Sequence, residues 1–524
     1  MLTLTSRFGA GFSATGTSAC TTHIGFDLGT SGCRISVVEK HKDPSSDQLP
    51  LLKEIYTEAV SWSDPSQKDT ENAASYDDPE AWMNAIETLL AGASKALQKG
   101  TSDQPLSAVA SICVSGTSAS CLVVDVKANK VTRKARMYNY DVVASRGDKE
   151  DPIYSLKATE LLDTYAPPRH TARARSGSLA KLLTWNEERK LGESEVLCHQ
   201  ADYVAMRLRA NDRACGAGPG NTWTVSSDWH NCLKLGYDVQ KLEWPSWMKE
   251  CLSDALADSN NPLRVLPQKV ISPGEPMGTV SSDVAERFGL SADTVIVGGT
   301  TDSNAAFFAA AGAEPVVGTA VTSLGSTLAI KYLSQSYVED ADRGVYSHRV
   351  PSIFSANDTD DSGSACWLAG GASNVGCAVL RQEEFSNEEL VELSAEIDPN
   401  TDSSLEYYPL VNTGERFPVA DSNKEPLLTP VPESRRDYLH GILQGISNVE
   451  RDGFQILGEL GATPAQPSVV LTCGGGSRND MWSSLRERRL NEAFDNEGEA
   501  SVKVSRASNT EASFGAAILA SATF

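Results

Sequence analysis

The chain has 524 residues, of which 46 are Lys or Arg and 69 are Asp or Glu, so its formal net charge is −23. This acidic balance argues against nucleic acid or an anionic membrane as the main partner. Hydrophobic residues make up 40% of the chain, and no apolar run approaches the ~20 residues of a membrane span. The sequence therefore predicts a globular protein of about two domains, with no membrane partner.

Cysteine and histidine spacing gives no metal or disulfide motif. The closest of the eleven cysteines, Cys113 and Cys121, are eight residues apart, and the seven histidines form no H-E-x-x-H pattern. The thiols therefore fit a reducing compartment. Residues 1–22 contain no acid and a single arginine, which predicts a disordered leader or a short transit segment. The expected location is the cytoplasm, with the plastid stroma as the alternative.

The first apolar stretch, residues 23–39, predicts two strands joined by a tight turn at Gly29-Thr30-Ser31-Gly32. A turn of small residues leaves backbone N–H groups open for phosphate oxygens. Asp27, at the end of the first strand, suits the Mg²⁺ that accompanies a phosphate. An ordinary hairpin with a solvated aspartate is the alternative that this motif leaves open.

The next segments predict an α/β fold. Residues 41–75 are polar and are expected to form a surface loop or a strand extension, whereas 79–100 has helical spacing of apolar residues. Residues 108–125 predict a strand, a small-residue turn and a second strand. Residues 153–210 are expected to be mainly helical, and the glycine-rich loop at 215–220 matches no dinucleotide-binding pattern.

Two later segments contain glycine turns, and the second of them repeats the design of the first hairpin. Residues 294–308 predict a buried strand, a Gly/Thr turn and a helix that starts at Asp302, and 318–330 predict a second hairpin with Gly325-Ser326-Thr327 at its turn. Two similar hairpins indicate two related halves. We place the boundary near residue 309, between an N-terminal domain of 23–309 and a C-terminal domain of 310–524.

The C-terminal part predicts helices near 387–396 and 434–461, then a strand, a triple glycine and a helix over 469–482. Ser477 and Asp480 are the expected cap of that helix. The last helix is expected to begin with a capping box at 508–511.

These motifs together resemble the actin/hexokinase/heat-shock ATPase superfold, and more closely the FGGY family of carbohydrate kinases. The resemblance extends over about residues 23–520. It rests on five motifs, namely Gly25-x-Asp27-x-Gly29-Thr30-Ser31-x-x-Arg34, Gly298-Gly299-x-x-Asp302-x-x-Ala305, Gly325-Ser326-Thr327, Tyr408-Pro-Leu410 with Gly414-Glu-Arg-Phe-Pro418, and Gly474-Gly475-Gly476-x-x-Asn479.

The resemblance implies a two-domain ribonuclease H-like α/β fold with a cleft, and ATP-dependent phosphorylation of a sugar hydroxyl. In this family Asp302 would be the general base, while Asp27 would hold Mg²⁺ and form the catalytic set with Asp302 and Thr30. The implied ATP-binding residues are Gly29, Thr30, Ser31, Gly325, Ser326, Thr327, Gly474, Gly475, Gly476 and Asn479, with Trp482 near the adenine. Two plainer alternatives remain open: Asp302 as a helix N-cap, and the triple glycine as an ordinary turn.

The sugar side of the resemblance points to a pentulose. Ser115, Gly116 and Thr117, with Ser118, stand where xylulose kinases usually carry a Gln-Met-His turn, and with Met137-Tyr138-Asn139 they are closer to the plant and cyanobacterial ribulose kinases. The implied substrate contacts are Ser115, Gly116, Thr117 and Asp302. Tyr140 intervenes before Asp141, so the sugar contact of that carboxylate is an open question.

The resemblance therefore implies D-ribulose as the acceptor, with D-xylulose or another sugar or polyol as the alternative. The partners would be the sugar and ATP, in a monomer or a homodimer. An inactive nucleotide- or sugar-binding protein of the same superfold is the competing class. The presence of both Asp27 and Asp302 argues against it.

Overall fold

The computed structural model describes residues 20–41, 51–62, 76–99, 105–143, 153–209, 222–313, 315–351, 354, 365–494 and 501–524. Within them lie eighteen strands and thirteen α-helices. The strands are β1 Cys20–Leu28, β2 Gly32–His41, β3 Leu51–Ser61, β4 Val109–Gly116, β5 Cys121–Asp125, β6 Lys130–Arg136, β7 Glu195–His199, β8 Ser226–Asp228, β9 Lys269–Ile271, β10 Pro276–Thr279, β11 Val295–Val297, β12 Thr300–Thr301, β13 Thr319–Leu324, β14 Leu328–Ser334, β15 Tyr346–Arg349, β16 Trp367–Ser373, β17 Val469–Cys473 and β18 Lys503–Arg506.

The helices alternate with these strands along most of the chain. They are α1 Pro79–Lys99, α2 Ile153–Tyr165, α3 Ser178–Glu188, α4 Gln200–Leu208, α5 Trp229–Cys232, α6 Ser246–Leu256, α7 Ser282–Phe288, α8 Asp302–Ala311, α9 Ala378–Gln382, α10 Asn387–Ala395, α11 Arg435–Glu459, α12 Asp480–Ala493 and α13 Ala512–Ser521. Among the described helices, none combines the length and apolarity needed to cross a membrane.

The first large sheet contains the predicted N-terminal hairpin. Its order is β10-β11-β4-β1-β2-β3, with β12 also beside β4. Strands β1 and β2 pair antiparallel, whereas β1, β11 and β12 run parallel to β4. Strand β3 lies within the stretch predicted as a loop or strand extension, and it pairs with β2 over its whole length. The predicted leader overlaps β1 at residues 20–22, and the rest of it lies outside the described residues.

The second large sheet contains the second predicted hairpin. Its order is β15-β16-β14-β13-β17-β18, with β13 and β14 antiparallel and β13 and β17 parallel. The prediction of a strand before the triple glycine is therefore confirmed. The two large sheets share the core arrangement of an antiparallel hairpin whose first strand has a parallel neighbour.

Helices cover both faces of the two sheets. Helices α1, α4 and α7 pack on one face of the first sheet, and α11 and α12 pack on one face of the second. Helices α8 and α13 share a buried apolar cluster with strands of both sheets. They therefore form the layer between the sheets. Because residue 309 falls inside α8, the predicted boundary lies within this layer, and the boundary stays a prediction.

A smaller unit sits beside the first sheet. Strands β6-β5-β7 form a three-stranded antiparallel sheet, and α2, α3 and α6 build a separate apolar cluster against it. The region 153–210 is thus mainly helical as predicted, with the addition of β7. The glycine-rich loop at 215–220 lies outside the described residues.

Two predicted helix caps are wrong. Helix α12 is capped by Asn479, whose side-chain oxygen accepts a 3.0 Å bond from the backbone N–H of Trp482. Helix α13 follows Glu511, which makes no side-chain cap bond, and Asn509 instead accepts from the Glu511 backbone N–H at 2.9 Å. In both places an asparagine side chain, and not the predicted capping residue, accepts a backbone N–H at the start of the helix.

Two glycines let α13 approach both of its neighbours. A Cβ at Gly25 of β1 would lie 1.9 Å from the carbonyl oxygen of Ser513, and a Cβ at Gly515 of α13 would lie 1.8 Å from the carbonyl oxygen of Ala305. The hydroxyl groups of Ser36 and Ser513 add a 2.8 Å hydrogen bond. The last helix of the chain is therefore built into the first half of the protein, between β1 and α8.

We expect Gly515→Ala to lower the stability of the folded protein by about 1–3 kcal/mol, because the new methyl group would displace backbone of α8. The melting temperature should fall by about 2 °C or more in a thermal-shift measurement. Gly192→Ala is the matched control, since its nearest neighbour is a side-chain oxygen at 3.6 Å. Equal melting temperatures for the two variants would contradict the close approach.

Candidate active site

The ends of three parallel strands bring the predicted carboxylates together. Asp27 lies at the end of β1 opposite Ser115 of β4, and Thr301 of β12 lies opposite Gly116, one residue before Asp302. Since the carboxyl ends of parallel strands meet at one edge of a sheet, Asp27, Ser115 and Asp302 share that edge.

Asp27 is a half-buried carboxylate with one hydroxyl partner. The Ser115 hydroxyl donates a 2.5 Å hydrogen bond to its Oδ1. Burial, followed by the negative charge of Asp302, raises the pKa of Asp27 to about 7, although the Ser115 bond acts in the opposite direction. Arg34, its cross-strand neighbour, forms a 3.0 Å ion pair with Glu511. The site therefore holds two carboxylates close enough to repel each other.

Asp302 begins α8, as the sequence predicted. Its Oδ1 accepts a 2.6 Å bond from the backbone N–H of Ser303. Burial raises the pKa of Asp302, whereas the Ser303 N–H and the positive charges of Lys234 and Lys331 lower it. The start of a helix holds this carboxylate in a fixed position, as a proton acceptor requires.

The first predicted phosphate turn is held by a tryptophan that the sequence analysis missed. The Gly29 N–H bonds the Gly32 carbonyl at 2.9 Å and closes the turn. Trp62 then anchors it twice, through Nε1 to the Gly29 carbonyl at 2.9 Å and through its backbone N–H to the Ser31 carbonyl at 3.0 Å. The side chains of Thr30 and Ser31 stay exposed at the tip.

The second predicted turn is built in the same way. Gly325 N–H bonds the Thr327 carbonyl at 3.2 Å, and the N–H groups of Cys377 and Ala378 bond the carbonyls of Gly325 and Ser326 at 2.8 and 3.2 Å. Ser326 and Thr327 are exposed, and the Ser326 hydroxyl accepts a 3.1 Å bond from Arg381.

The triple glycine lies against this second turn. Gly474 has φ +84°, and a Cβ there would lie 2.6 Å from the Leu324 carbonyl oxygen and 3.0 Å from the Gly325 nitrogen. A Cβ at Gly475 would meet no atom within 4 Å. The second turn and the triple glycine therefore form one continuous loop surface in the second half of the protein.

Asn479 and Trp482 have structural roles at this loop. Besides capping α12, Asn479 donates through its amide to the Ser394 hydroxyl at 2.8 Å. Trp482 is 1% exposed, and its Nε1 donates to the Leu443 carbonyl at 3.1 Å and the Ser447 hydroxyl at 3.0 Å. The Trp482 ring therefore belongs to the core of the second half, and its position near an adenine stays a prediction.

The predicted sugar turn at 115–118 is packed around Gln200. The side-chain oxygen of Gln200 accepts from the backbone N–H of Thr117 at 3.1 Å and from its hydroxyl at 3.0 Å, and a Cβ at Gly116 would lie 3.1 Å from the same oxygen. Asn139 is exposed, and Asp141 accepts a 2.7 Å bond from the Val143 N–H.

Several buried polar atoms around the site have no hydrogen-bond partner within the part of the chain that the structure describes. They are Gln200 Nε2, Thr301 Oγ1, both amide atoms of Asn304 and His348 Nε2. Gln200 of α4 packs against the 115–118 turn, and Thr301 and Asn304 lie close to Asp302 in the sequence. Buried polar groups are normally paired, so these atoms offer hydrogen bonds to water or to a ligand.

A group of basic side chains near Asp302 was missed from the sequence. Lys331 of β14 is 7% exposed and makes a 3.1 Å hydrogen bond to His348 Nδ1. Lys331 is the only charged residue of the strand Leu328–Ser334, whose other residues are apolar, Tyr or Ser. A single lysine in an otherwise uncharged strand was the sequence signal that could have identified Lys331. Its contact with His348 of β15 could not be predicted from the spacing of nearby residues.

Comparisons with known proteins place this architecture among the carbohydrate kinases. No family model matches the chain. A xylulose kinase of Staphylococcus epidermidis (strain ATCC 12228) is 23% identical over 511 residues, which cover 95% of this chain and 87% of that protein. A xylulose kinase of Lactococcus lactis is 24% identical over 467 residues, with 87% and 80% coverage.

Solved structures agree with these sequence matches. The structure of a xylulose kinase from Brucella ovis has a TM-score of 0.69 at 19% identity and covers 96% of this chain and 90% of its own. That of Plasmodium falciparum glycerol kinase with ADP has a TM-score of 0.68 at 15% identity, with 96% and 90% coverage. The chain therefore has the two-domain α/β fold of carbohydrate kinases, and both the predicted fold and the predicted enzyme class are confirmed.

The shifted pKa of Asp27 predicts how its removal changes stability with pH. Its folded pKa of about 7 lies above the ordinary value of an unfolded aspartate, ~3.9. Between these values the folded state binds more protons, so ionisation of Asp27 costs stability progressively as pH rises toward 7. We expect Asp27→Asn to raise the melting temperature more at pH 8.0 than at pH 5.5.

Asp398→Asn is the control for this pH dependence. Hydrogen bonding from the Asn400 backbone lowers the pKa of Asp398, so this group stays ionised from pH 5.5 to 8.0. Its substitution should shift the melting temperature equally at both pH values. An equal shift for Asp27→Asn as well would show that the Asp27 carboxyl is not perturbed.

Proposed function

We propose that this chain transfers the γ-phosphoryl group of ATP to a hydroxyl of a pentulose, converting D-ribulose to D-ribulose 5-phosphate. The observation that carries the proposal is the pair Asp27 and Asp302 at one sheet edge, where the charge of Asp302 acts on Asp27. The choice of D-ribulose rests on the resemblance of residues 115–118 and 137–139 to ribulose kinases. The named relatives favour D-xylulose as the second candidate.

Asp302 is the proposed general base. Its carboxylate accepts the proton of the attacking hydroxyl while that oxygen forms a bond to the γ-phosphorus and the bond from this phosphorus to the bridging β,γ-oxygen breaks, which releases ADP. Phosphoryl transfer needs mainly alignment and charge stabilisation. The fixed helix start of α8 and the edge of the first sheet supply the alignment of the base.

Asp27 is the proposed Mg²⁺ ligand, directly or through water. The donor set fits a hard cation, because a carboxylate and the adjacent Ser115 hydroxyl present oxygen atoms only. The mutual repulsion of Asp27 and Asp302, which raises the pKa of Asp27, is also what a nearby divalent cation would relieve. When bound, Mg²⁺ would neutralise phosphate charge.

The three loops are the proposed nucleotide contacts. Thr30 and Ser31 at the first turn, and Ser326 and Thr327 at the second, expose hydroxyl and backbone groups that suit phosphate oxygens. The open space beside Gly475 suits the nucleoside. Asn479 stays in the proposed set through its place after the triple glycine, although its amide already bonds Ser394.

The sugar is proposed to bind beside the 115–118 turn. Ser115 and Thr117 already have protein partners, Asp27 and Gln200, so the turn would contribute its shape and the amide of Gln200. Unpartnered polar atoms of Thr301 and Asn304 on the base side would complete the hydrogen bonds to the sugar hydroxyls.

We expect purified protein with Mg²⁺ and ATP to release ADP faster with D-ribulose than with D-xylulose, L-ribulose, glycerol or no sugar. Asp302→Ala should lower kcat by about 100-fold or more, because the attacking hydroxyl loses its base. A coupled ADP assay measures both effects. Asp283→Ala is the control, since Asp283 also lies in the first turn of a helix, α7, but its side chain is exposed.

Two outcomes would contradict this assignment. If ADP release is fastest with another sugar, the proposed kinase activity would stand and that sugar would replace D-ribulose as the proposed substrate. ADP release that no sugar stimulates, together with a sugar-dependent rise in melting temperature, would identify an inactive binding protein.

A further inference from the structure

Two lysines flank one tyrosine ring at the junction of the two halves. Lys331 Nζ lies 5.0 Å from the ring centroid of Tyr346, and Lys234 Nζ lies 5.7 Å from the same centroid. Lys331 and Tyr346 belong to strands β14 and β15 of the second sheet. Lys234 belongs to the 3₁₀ turn that follows α5 in the first half. The chain thus brings two cations together from separate halves.

Neither lysine forms an ion pair within 4.0 Å with a carboxylate among the described residues. Burial of Lys331, and then the charge of Lys234, lower the pKa of Lys331 to about 7. A buried cation without a close counter-ion costs stability. Such a group is a candidate for a role in chemistry, because structural lysines are normally solvated or paired.

Asp302 is the carboxylate on which both lysines act. Their positive charges oppose the effect of burial on Asp302, and the charge of Asp302 in turn favours the ammonium forms of both. The negative charge of Asp302 also acts on the Asp27 carboxyl and raises the pKa of that group. Asp302 therefore lies between one negative charge and two positive charges.

A chain of side chains links Lys331 to β12, the strand that directly precedes Asp302. Lys331 bonds His348 Nδ1 at 3.1 Å, and the rings of His348 and His230 meet edge to face at 5.4 Å. His230 Nδ1 lies 2.7 Å from the hydroxyl of Thr300, two residues before Asp302, and His230 Nε2 donates to the Arg349 carbonyl at 2.7 Å. These contacts fix Lys331 relative to the proposed base across the two halves.

We propose that Lys331 is a positioning residue that keeps the Asp302 carboxylate ionised when the acceptor hydroxyl arrives, with His348 holding its ammonium group in place. The inference rests on the proposed role of Asp302 as general base. Burial raises the pKa of Asp302 and the two lysine charges oppose that rise, and a protonated Asp302 could not accept the proton of the acceptor hydroxyl.

The groups that face Lys331 come from three elements. His348 and Tyr346 belong to β15, Lys234 to the 3₁₀ turn Leu233–Leu235, and Asp302 to α8. Burial and the charge of Lys331 lower the pKa of His348 well below its usual value, so this ring stays neutral. Among the groups near Lys331, Asp302 is therefore the one whose ionisation should set the acidic limb of the pH profile of kcat/KM.

The pH dependence of kcat/KM tests the proposal. Asp302 acts when deprotonated, so the rate falls as pH falls through its pKa. Removal of a positive charge raises that pKa and moves the acidic limb to higher pH. For Lys331→Met we expect a shift of about half a pH unit or more, with a loss of about threefold or more at pH 6 that recovers toward pH 9.

Two variants make this result specific. Lys331→Arg keeps the charge and should retain the wild-type acidic limb. Lys424→Met also removes a lysine that lies over a tyrosine ring, at 4.4 Å from the Tyr408 centroid, but it should leave the pH profile unchanged. A higher KM for the sugar with an unmoved acidic limb would overturn the proposal, because Lys331 would then contact the sugar itself.

A second measurement needs no substrate and separates this inference from the proposed function. In a double-mutant cycle at pH 6.5, Lys331→Met should change the melting temperature more favourably in the Asp302→Asn background than in the wild type, because the attraction is already absent there. Additive changes would overturn the inference. If the two substitutions are coupled but no sugar stimulates ADP release, the interaction of Lys331 with Asp302 would stand and the proposed kinase activity would be refuted.

Discussion

The site depends on the close packing of α13 against both β1 and α8. Asp27 is fixed by β1 and Asp302 by α8, and α13 contacts both elements through backbone atoms opposite Gly25 and Gly515. A side chain at either glycine would push the elements apart. The spacing of the two carboxylates is thus set by backbone contact among three segments that are remote in sequence.

This rigid frame holds an electrostatic arrangement that is costly for stability. Burial works against the charge of Asp27, Asp302 and Lys331 alike, and the two carboxylates also repel each other. A core of apolar residues would avoid these costs. Proteins break such rules of stability mainly at functional sites, which is why the proposed chemistry is assigned to this edge of the sheet rather than to a surface cavity.

Local sequence signals were enough to predict both hairpins and the start of a helix at Asp302. Glycine turns between apolar alternating strands and a buried strand before a helix depend on neighbours within a few residues. Such local signals were not enough to predict the roles of Trp62 and Gln200 or the contact of Lys331 with His348. Trp62 follows the end of β3, and Gln200 lies on helix α4, so their contacts depend on tertiary packing. The contact of Lys331 with His348 depends on how β14 and β15 each pair with β16, and a one-residue change in either pairing would move one of these side chains to the other face.

The same distinction bears on the choice of sugar. Residues 115–118 carried the resemblance to ribulose kinases, yet the hydroxyls of Ser115 and Thr117 are engaged by Asp27 and Gln200. An enzyme distinguishes two pentuloses through polar groups that lose their hydrogen-bond partner when the wrong sugar binds. This is effective because an unpaired buried polar group costs far more binding free energy than a missing methylene group. Thr301 and Asn304 have that unused capacity. Stereochemical selection is therefore better sought beside the base, on the first turn of α8, than in the turn whose sequence first suggested the substrate.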